Sequence, residues 1–193
     1  MSECRVILID GDNVWRKNLN IMLRKYGHWV VGDAGDGVSA LKLVRSREPD
    51  LLIIDAALPG NINGMQVAKI VREDRLAPVI ATSRSGKHEI LEKAKEAGVY
   101  ALLFKPVGEE SLLPAVELAL ANYQELTSLE AKIKDLQETL ETRKVVERAK
   151  GILMETHGLT EAEAFKRIQR QSMNKRVSMQ VVAEAVIMTH SLK

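Results

Sequence analysis

Six side chains in the sequence could do chemistry together: Asp10, Asp12, Asp55, Thr82, Ser83 and Lys105. Each lies just past a short apolar run. Val6-Ile7-Leu8-Ile9 precedes Asp10 and Asp12, Leu51-Leu52-Ile53-Ile54 precedes Asp55, Val79-Ile80-Ala81 precedes Thr82 and Ser83, and Ala101-Leu102-Leu103-Phe104 precedes Lys105. Clustered carboxylates suit Mg²⁺, a hard cation that keeps several waters and bridges to phosphate oxygens. An amine and a hydroxyl neutralise and hydrogen-bond a transferred phosphoryl group, and Asp55 is the candidate nucleophile. Alone, any one of these residues reads as an ordinary loop-capping or solvated side chain. The signal is that compatible groups recur at the ends of successive runs.

The elements that must position them alternate. The four runs, with Trp29-Val30-Val31, have the character of strands covered on both faces. Between them, Val14–Lys25, Val38–Arg47, Met65–Arg72 and His88–Ala97 place apolar residues at helical spacing. Five strands alternating with helices predict an α/β fold, a doubly wound five-stranded parallel sheet. In such sheets ligands sit beyond the carboxyl ends of the strands, where the six residues fall.

Over about residues 3–121 the sequence resembles the receiver domain of two-component response regulators, a flavodoxin-like fold. The resemblance rests on Val6-Ile7-Leu8-Ile9-Asp10, Asp50-Leu51-Leu52-Ile53-Ile54-Asp55 with Pro59-Gly60, Ala77-Pro78-Val79-Ile80 followed by a hydroxyl residue, and Phe104-Lys105-Pro106. It implies that Asp55 is the phosphoacceptor, that Asp10 is an acidic metal-site residue and that Lys105 pairs the phosphate, while the carboxylate cluster Asp10, Asp12 and Asp55 is the candidate metal site. Ser83, favoured over Thr82 by its register against Lys105, becomes the switch hydroxyl. It also implies a sensor histidine kinase as partner. The family normally has two consecutive acids after the first strand; here Gly11 takes the second position and Asp12 comes one place later. Leu102 replaces a frequent aromatic, Arg84 follows Ser83 where a small residue is usual, and the segment Pro59–Gly64 is one residue longer than common. The expectation is a receiver fold with a partly degenerate pocket, weak Mg²⁺ binding and slow or absent labelling of Asp55.

A second kind of sequence begins near Ser111, read as the N-cap of one helix reaching about Thr156, with Pro114 in its first turn. Leu126, Leu129, Ile133, Leu136 and Leu140 follow steps of three and four with charges between them, a coiled-coil seam of about two heptads. A helix of this span would run to about 70 Å, too long for either flanking piece to cover, which favours a homodimer over an internal helical hairpin. This linker, 111–142, overlaps a small all-α unit of three helices. Its first helix continues through Val145, Val146, Ala149, Ile152 and Leu153 to stop near His157-Gly158. Thr160-Glu161-Ala162-Glu163 reads as a capping box opening a helix whose Ala162, Phe165 and Ile168 face a core. Lys175-Arg176 forms a turn, and Ser178 caps a third helix with Val181, Val182, Ala185, Val186 and Thr189 as its buried stripe.

Charge is uneven. The net charge is +2, but residues 143–193 hold 10 Lys/Arg against 5 Asp/Glu. Lys144 with Arg148, and Lys166 with Arg170, are one helical turn apart; Arg167, Lys175 and Arg176 lie nearby in sequence. A basic unit suits a polyanion, although a solvated helix face paired with Glu147 and Glu163 would carry the same residues. Arg148-Ala149-Lys150-Gly151-Ile152-Leu153-Met154, then Glu163-Ala164-Phe165, Arg170-Gln171-Ser172-Met173 and Val182-Ala183 resemble the ANTAR domain over about residues 126–190. That family binds paired RNA hairpin loops in leader transcripts as dimers and promotes transcription antitermination. The resemblance therefore implies RNA contacts from Lys144, Arg148, Lys150, Lys166, Arg167 and Arg170. Gln169 stands where the family usually has Arg, and Gly151, costly inside a helix, implies close packing or backbone approach.

These features exclude some classes and leave two rivals. The N-terminal apolar run is too short for a signal peptide, no stretch approaches membrane-spanning length, and the single Cys4 offers no disulfide or metal framework. A cytoplasmic regulator, not an enzyme, is expected. A DNA-binding helix-turn-helix is disfavoured because Val181–Thr189 contains no Lys or Arg. A phosphorylation-independent protein-interaction regulator is the reading that Gly11 and Arg84 favour.

Overall fold

The computed structural model describes residues 3–191. Among these residues the chain forms β1 Arg5–Ile9, α1 Asn13–Lys25, β2 Trp29–Ala34, α2 Gly37–Arg47, β3 Leu51–Asp55, α3 Gly64–Glu73, β4 Val79–Ser83, α4 His88–Ala97, β5 Ala101–Phe104, α5 Glu109–His157, α6 Glu161–Lys175 and α7 Met179–Ser191. It divides into two compact units, one ending at Leu126 and one beginning at Thr127.

The first unit is the expected sheet, all parallel, in the order β2-β1-β3-β4-β5. Because successive strand residues point to opposite faces, each strand feeds two cores. Ile7, Ile9, Leu52 and Ile54 enter one; Val6, Leu8, Leu51 and Ile53 enter the other. Helices cover both faces, which explains why these runs lack polar alternation. The order reverses between β1 and β3, so the ends of those two strands flank the switch point where such folds bind ligands.

The start of α5 corrects the expectation. The helix begins at Glu109, not after Ser111, because the Gly108 carbonyl already accepts from the backbone N–H of Ser111 (3.2 Å) and Leu112 (3.0 Å). The Ser111 hydroxyl donates to that same carbonyl at 3.0 Å and caps nothing further on. Glu109 and Glu110 occupy the first turn, where negative charge suits the helix dipole, and Pro114 lies inside the helix.

In the second unit α5 stops where expected: Gly158 takes φ +64° and its N–H returns to the Met154 carbonyl at 3.0 Å. The Thr160 capping box is present in both directions, with Thr160 N–H donating to Glu163 at 2.9 Å. The core itself is Val146, Ala149, Leu153, Ala164, Ile168 and Ala183. This corrects two stripes. Ala162 is exposed and Phe165 is 41% exposed, since Ala164 and Ile168, one turn apart, are the positions that turn inward. On α7 Val182 and Val186 pack as expected, but Val181, Ala185 and Thr189 are exposed and Ala183 replaces them in the core. The expected stripe was wider than the small core can bury.

Candidate phosphorylation pocket and output surface

The pocket is built by register. Asp55 pairs with Thr82 and Ser83 with Phe104 across β3, β4 and β5, while the Ala56 N–H donates to the Thr82 carbonyl and the Lys105 N–H to the Ser83 carbonyl, each at 2.8 Å. Consecutive strand ends therefore present their side chains at one edge. Gly64, the first residue of α3, comes so close that a Cβ there would lie 1.8 Å from the Asp55 carbonyl oxygen. Only glycine lets α3 start against the end of β3.

The Lys105 ammonium donates to both Asp10 and Asp55, with all three side chains largely buried. Two carboxylates against one ammonium leave a net negative charge in a confined space, an arrangement that favours a further cation. The remaining oxygens are also held: Asp10 Oδ1 accepts from Asp12 N–H at 2.9 Å, and Asp55 Oδ1 from Ala57 N–H at 2.8 Å. Thr82 and Ser83 are both buried at the same edge, with the Ser83 hydroxyl 3.1 Å from the Ser85 carbonyl.

Asp12 is used differently from its two neighbours. Its Oδ1 accepts from the N–H groups of Val14 (3.0 Å) and Trp15 (3.1 Å) and so caps α1, while its Oδ2 meets Arg84 at 3.1 Å. The backbone hydrogen bond from Trp15 is the main influence holding its carboxyl below the usual aspartate range. No group of three or more His, Cys, Asp or Glu residues able to hold a metal is assembled among the described residues.

Two participants were not apparent in the sequence. The Arg16 guanidinium donates to the Asp10 carbonyl and meets Asp33 at 2.6 Å. The Trp15 ring lies under the Lys105 ammonium, 5.3 Å from its centroid. Both stand on the first turn of α1, and no spacing rule separates them from ordinary helix-face residues.

On the output unit Arg148, Lys166, Arg167 and Arg170 are exposed, and none is in an ion pair among the described residues. Lys144 is exposed and pairs with Glu141 at 2.8 Å. Lys150 departs from the expected contact set. Its ammonium is buried between Glu147 (2.8 Å) and Glu161 (2.7 Å), which ties α5 to α6 and raises its pKa, the hydrogen bond it donates to Glu147 contributing most. Gly151 also departs, since a Cβ there would meet nothing within 4 Å.

The seam residues of α5 face outward: Leu126, Leu129, Ile133, Leu136 and Leu140 are 47–66% exposed. Five large aliphatic side chains in helical register, left in solvent, form an unpartnered apolar stripe.

A parallel sheet in this order, with an acid–lysine–acid pocket at its switch point and a basic three-helix unit following, defines a response regulator. The Response regulator receiver domain family matches residues 6–117 and the ANTAR domain family residues 134–187, and the chain belongs to the response regulators that carry an ANTAR output, a family of RNA-binding antitermination regulators. Transcriptional regulatory protein PdtaR of Mycobacterium tuberculosis is 42% identical over 185 residues, 96% of this chain and 90% of that protein. Protein PilH of Pseudomonas aeruginosa is 32% identical over 122 residues, covering 61% of this chain and 98% of its own. Among solved structures, a two-component response regulator of the LuxR family from Aurantimonas superposes with TM-score 0.58 at 28% identity, covering 63% of this chain and 87% of its own. No described helix is long and apolar enough to cross a membrane.

Proposed function

We propose that this chain is a cytoplasmic, dimeric regulator whose output unit grips paired RNA hairpin loops in leader transcripts and so keeps a terminator from forming. The observation that carries the reading is the set Arg148, Lys166, Arg167 and Arg170, exposed and in no ion pair among the described residues, with Lys166 alone acting on a carboxylate, that of Glu163, from beyond ion-pair distance. Cations left unpaired on a small unit suit a phosphate backbone, and their neutralisation releases counterions. The exposed seam of α5 supports pairing of two chains, which brings two such surfaces to two loops. Lys150 is not part of that surface, because its ammonium is spent inside the unit.

Control through the receiver is weak in this proposal. Asp10 and Asp55 are the residues that would hold Mg²⁺, and Asp12 is withdrawn from them by its cap and by Arg84. When bound, the ion would neutralise charge on phosphoryl oxygens. A hard cation with two carboxylates instead of three binds less tightly, so a sensor histidine kinase, the family's usual partner, would load Asp55 slowly. Dimerisation through α5 then proceeds without phosphate. Crosslinking and sequencing of RNA bound in cells tests the function: transcripts with tandem hairpins near a terminator are expected, and recovery of transcripts lacking them would overturn it.

A further inference from the structure

The output unit holds a groove of about 450 Å³, lined by the last turns of α5, one side of α6 and the outer side of α7. Its floor is apolar, formed by Ile152, Leu153, Ile168, Val182 and Val186, and the exposed Val181 and Ala185 leave it open. Its polar lining is one-sided in charge: Arg167 and Lys175 stand around it with the imidazoles of His157 and His190 and the Gln171 amide, and among the described residues no Asp or Glu lines it. All of these residues lie outside the seam of Leu126–Leu140, so pairing through the seam does not by itself account for the groove.

We propose that this groove receives one unpaired base of an RNA loop, a site distinct from the outward phosphate-contacting face. The inference rests on the RNA reading above. A base offers two apolar faces to the floor and hydrogen-bonding edges to Gln171, and it arrives attached to two phosphates. Arg167 and Lys175 meet those phosphates, where a neutral apolar ligand would leave both cations unused. Arg167 joins the two surfaces, since it lines the groove and neighbours Lys166 and Arg170 in sequence on α6. Backbone tracking and base capture are thereby continuous on one helix. The expected stripe of Val181, Ala185 and Thr189 fails to enter the core because its residues line this groove instead.

The test uses the full chain and a pool of stem-loops with randomised unpaired loops. From the tightest binder, each loop nucleotide is replaced in turn by an abasic one. Loss of at least about tenfold in affinity is expected at one position or two, the scale of a single stacked base. Ala185→Trp, which fills the groove from an exposed position, should cost the natural loop a similar factor. It should also make binding insensitive to the abasic change, because the two losses report one contact. Additive losses, or an Ala185→Trp variant that binds like the natural protein, would overturn the groove while leaving the RNA reading intact. A fall to monomer mass in that variant would assign the groove to a second copy, and displacement of the stem-loop by a poly-glutamate peptide only while the groove is open would assign it to a protein. Should Ala185→Trp fail to fold, the abasic scan on the natural protein decides alone: uniform small losses at every position overturn the proposal. If no stem-loop in the pool binds the natural protein, the RNA reading itself fails and this inference falls with it.

Discussion

Arg84 and Asp12, seventy-two positions apart in the chain, meet at 3.1 Å over the carboxyl edge of the sheet. Asp12 is thereby held twice, by the first turn of α1 and by a guanidinium, and neither hold points it at Asp10 and Asp55. As an exposed ion pair it is worth little in stability. Its importance is positional, since it commits the one spare carboxylate to a task outside the pocket.

Restoring a carboxylate at the preceding residue should therefore repair the site. Gly11 does not adopt a positive φ, and a Cβ there would meet Pro59 Cδ at 3.5 Å, Pro59 Cγ at 3.8 Å and the Gly35 carbonyl at 4.0 Å, all ordinary contacts. Gly11→Asp is expected to fold and to raise Mg²⁺ affinity at least about tenfold, the scale of one added charged ligand in such a site. Trp15, beside Lys105, supplies a fluorescence signal for the titration. Unchanged Mg²⁺ affinity and unchanged phosphodonor labelling of Asp55 would show that Gly11 is not the defect.

The acid sensitivity of the output unit should trace to Glu161 and Glu163. Glu161 is held below the usual glutamate range by the hydrogen bond from Lys150, and Glu163 by the side-chain hydrogen bond from Thr160. A lowered folded-state pKa contributes stability that is complete above the unfolded value, about 4.3, and is lost as pH falls through the folded one. Thermal melts of segment 127–193 between neutral and acid pH should show a decline below that region. The decline should shrink in Glu161→Gln. An equally steep decline in that variant would place the sensitivity elsewhere.

Much of this was legible in the sequence. The strands announced themselves because both faces of each are buried, so Val6–Ile9 and Leu51–Ile54 are unbroken apolar runs, and the residues at the carboxyl edge follow from where those runs end. The Thr160 box and Gly158 stop were likewise readable, being local hydrogen-bonding chemistry. What was hidden is pairing across distance. Nothing near Lys150 in sequence says that Glu161 will neutralise it, nothing near Asp12 predicts Arg84, and the groove is assembled from residues of α5, α6 and α7 that lie apart in the chain. Phe165 was misassigned because helical spacing fixes which residues share a face but not how wide a face the core covers.

Gly151 supplies a simple stability test. A mid-helix glycine costs up to about 1 kcal/mol relative to alanine, and a methyl group at this position would meet nothing. Gly151→Ala should raise the melting temperature of the output unit by a few degrees. A lower melting temperature would reveal packing that a Cβ disturbs.

The seam should be separable from folding. Ile133 and Leu136 are 55% and 66% exposed, so lysine at both costs the single chain little. In a dimer the same changes bury charge against a second copy. Sedimentation of the double variant should give a folded monomer with weaker hairpin binding. A dimer of unchanged mass would mean that the seam is not the interface.

The salt dependence of hairpin binding bears most directly on the proposed output. Each cation that neutralises a phosphate in a single-stranded loop should contribute about 0.7 to the slope of log affinity against log salt. Arg148→Ala with Arg170→Ala, both at exposed positions, should leave the melting temperature close to that of the natural protein and lower the slope by about 1.4, two such contributions. A folded double variant that bound the same hairpins with an unaltered slope would contradict the account.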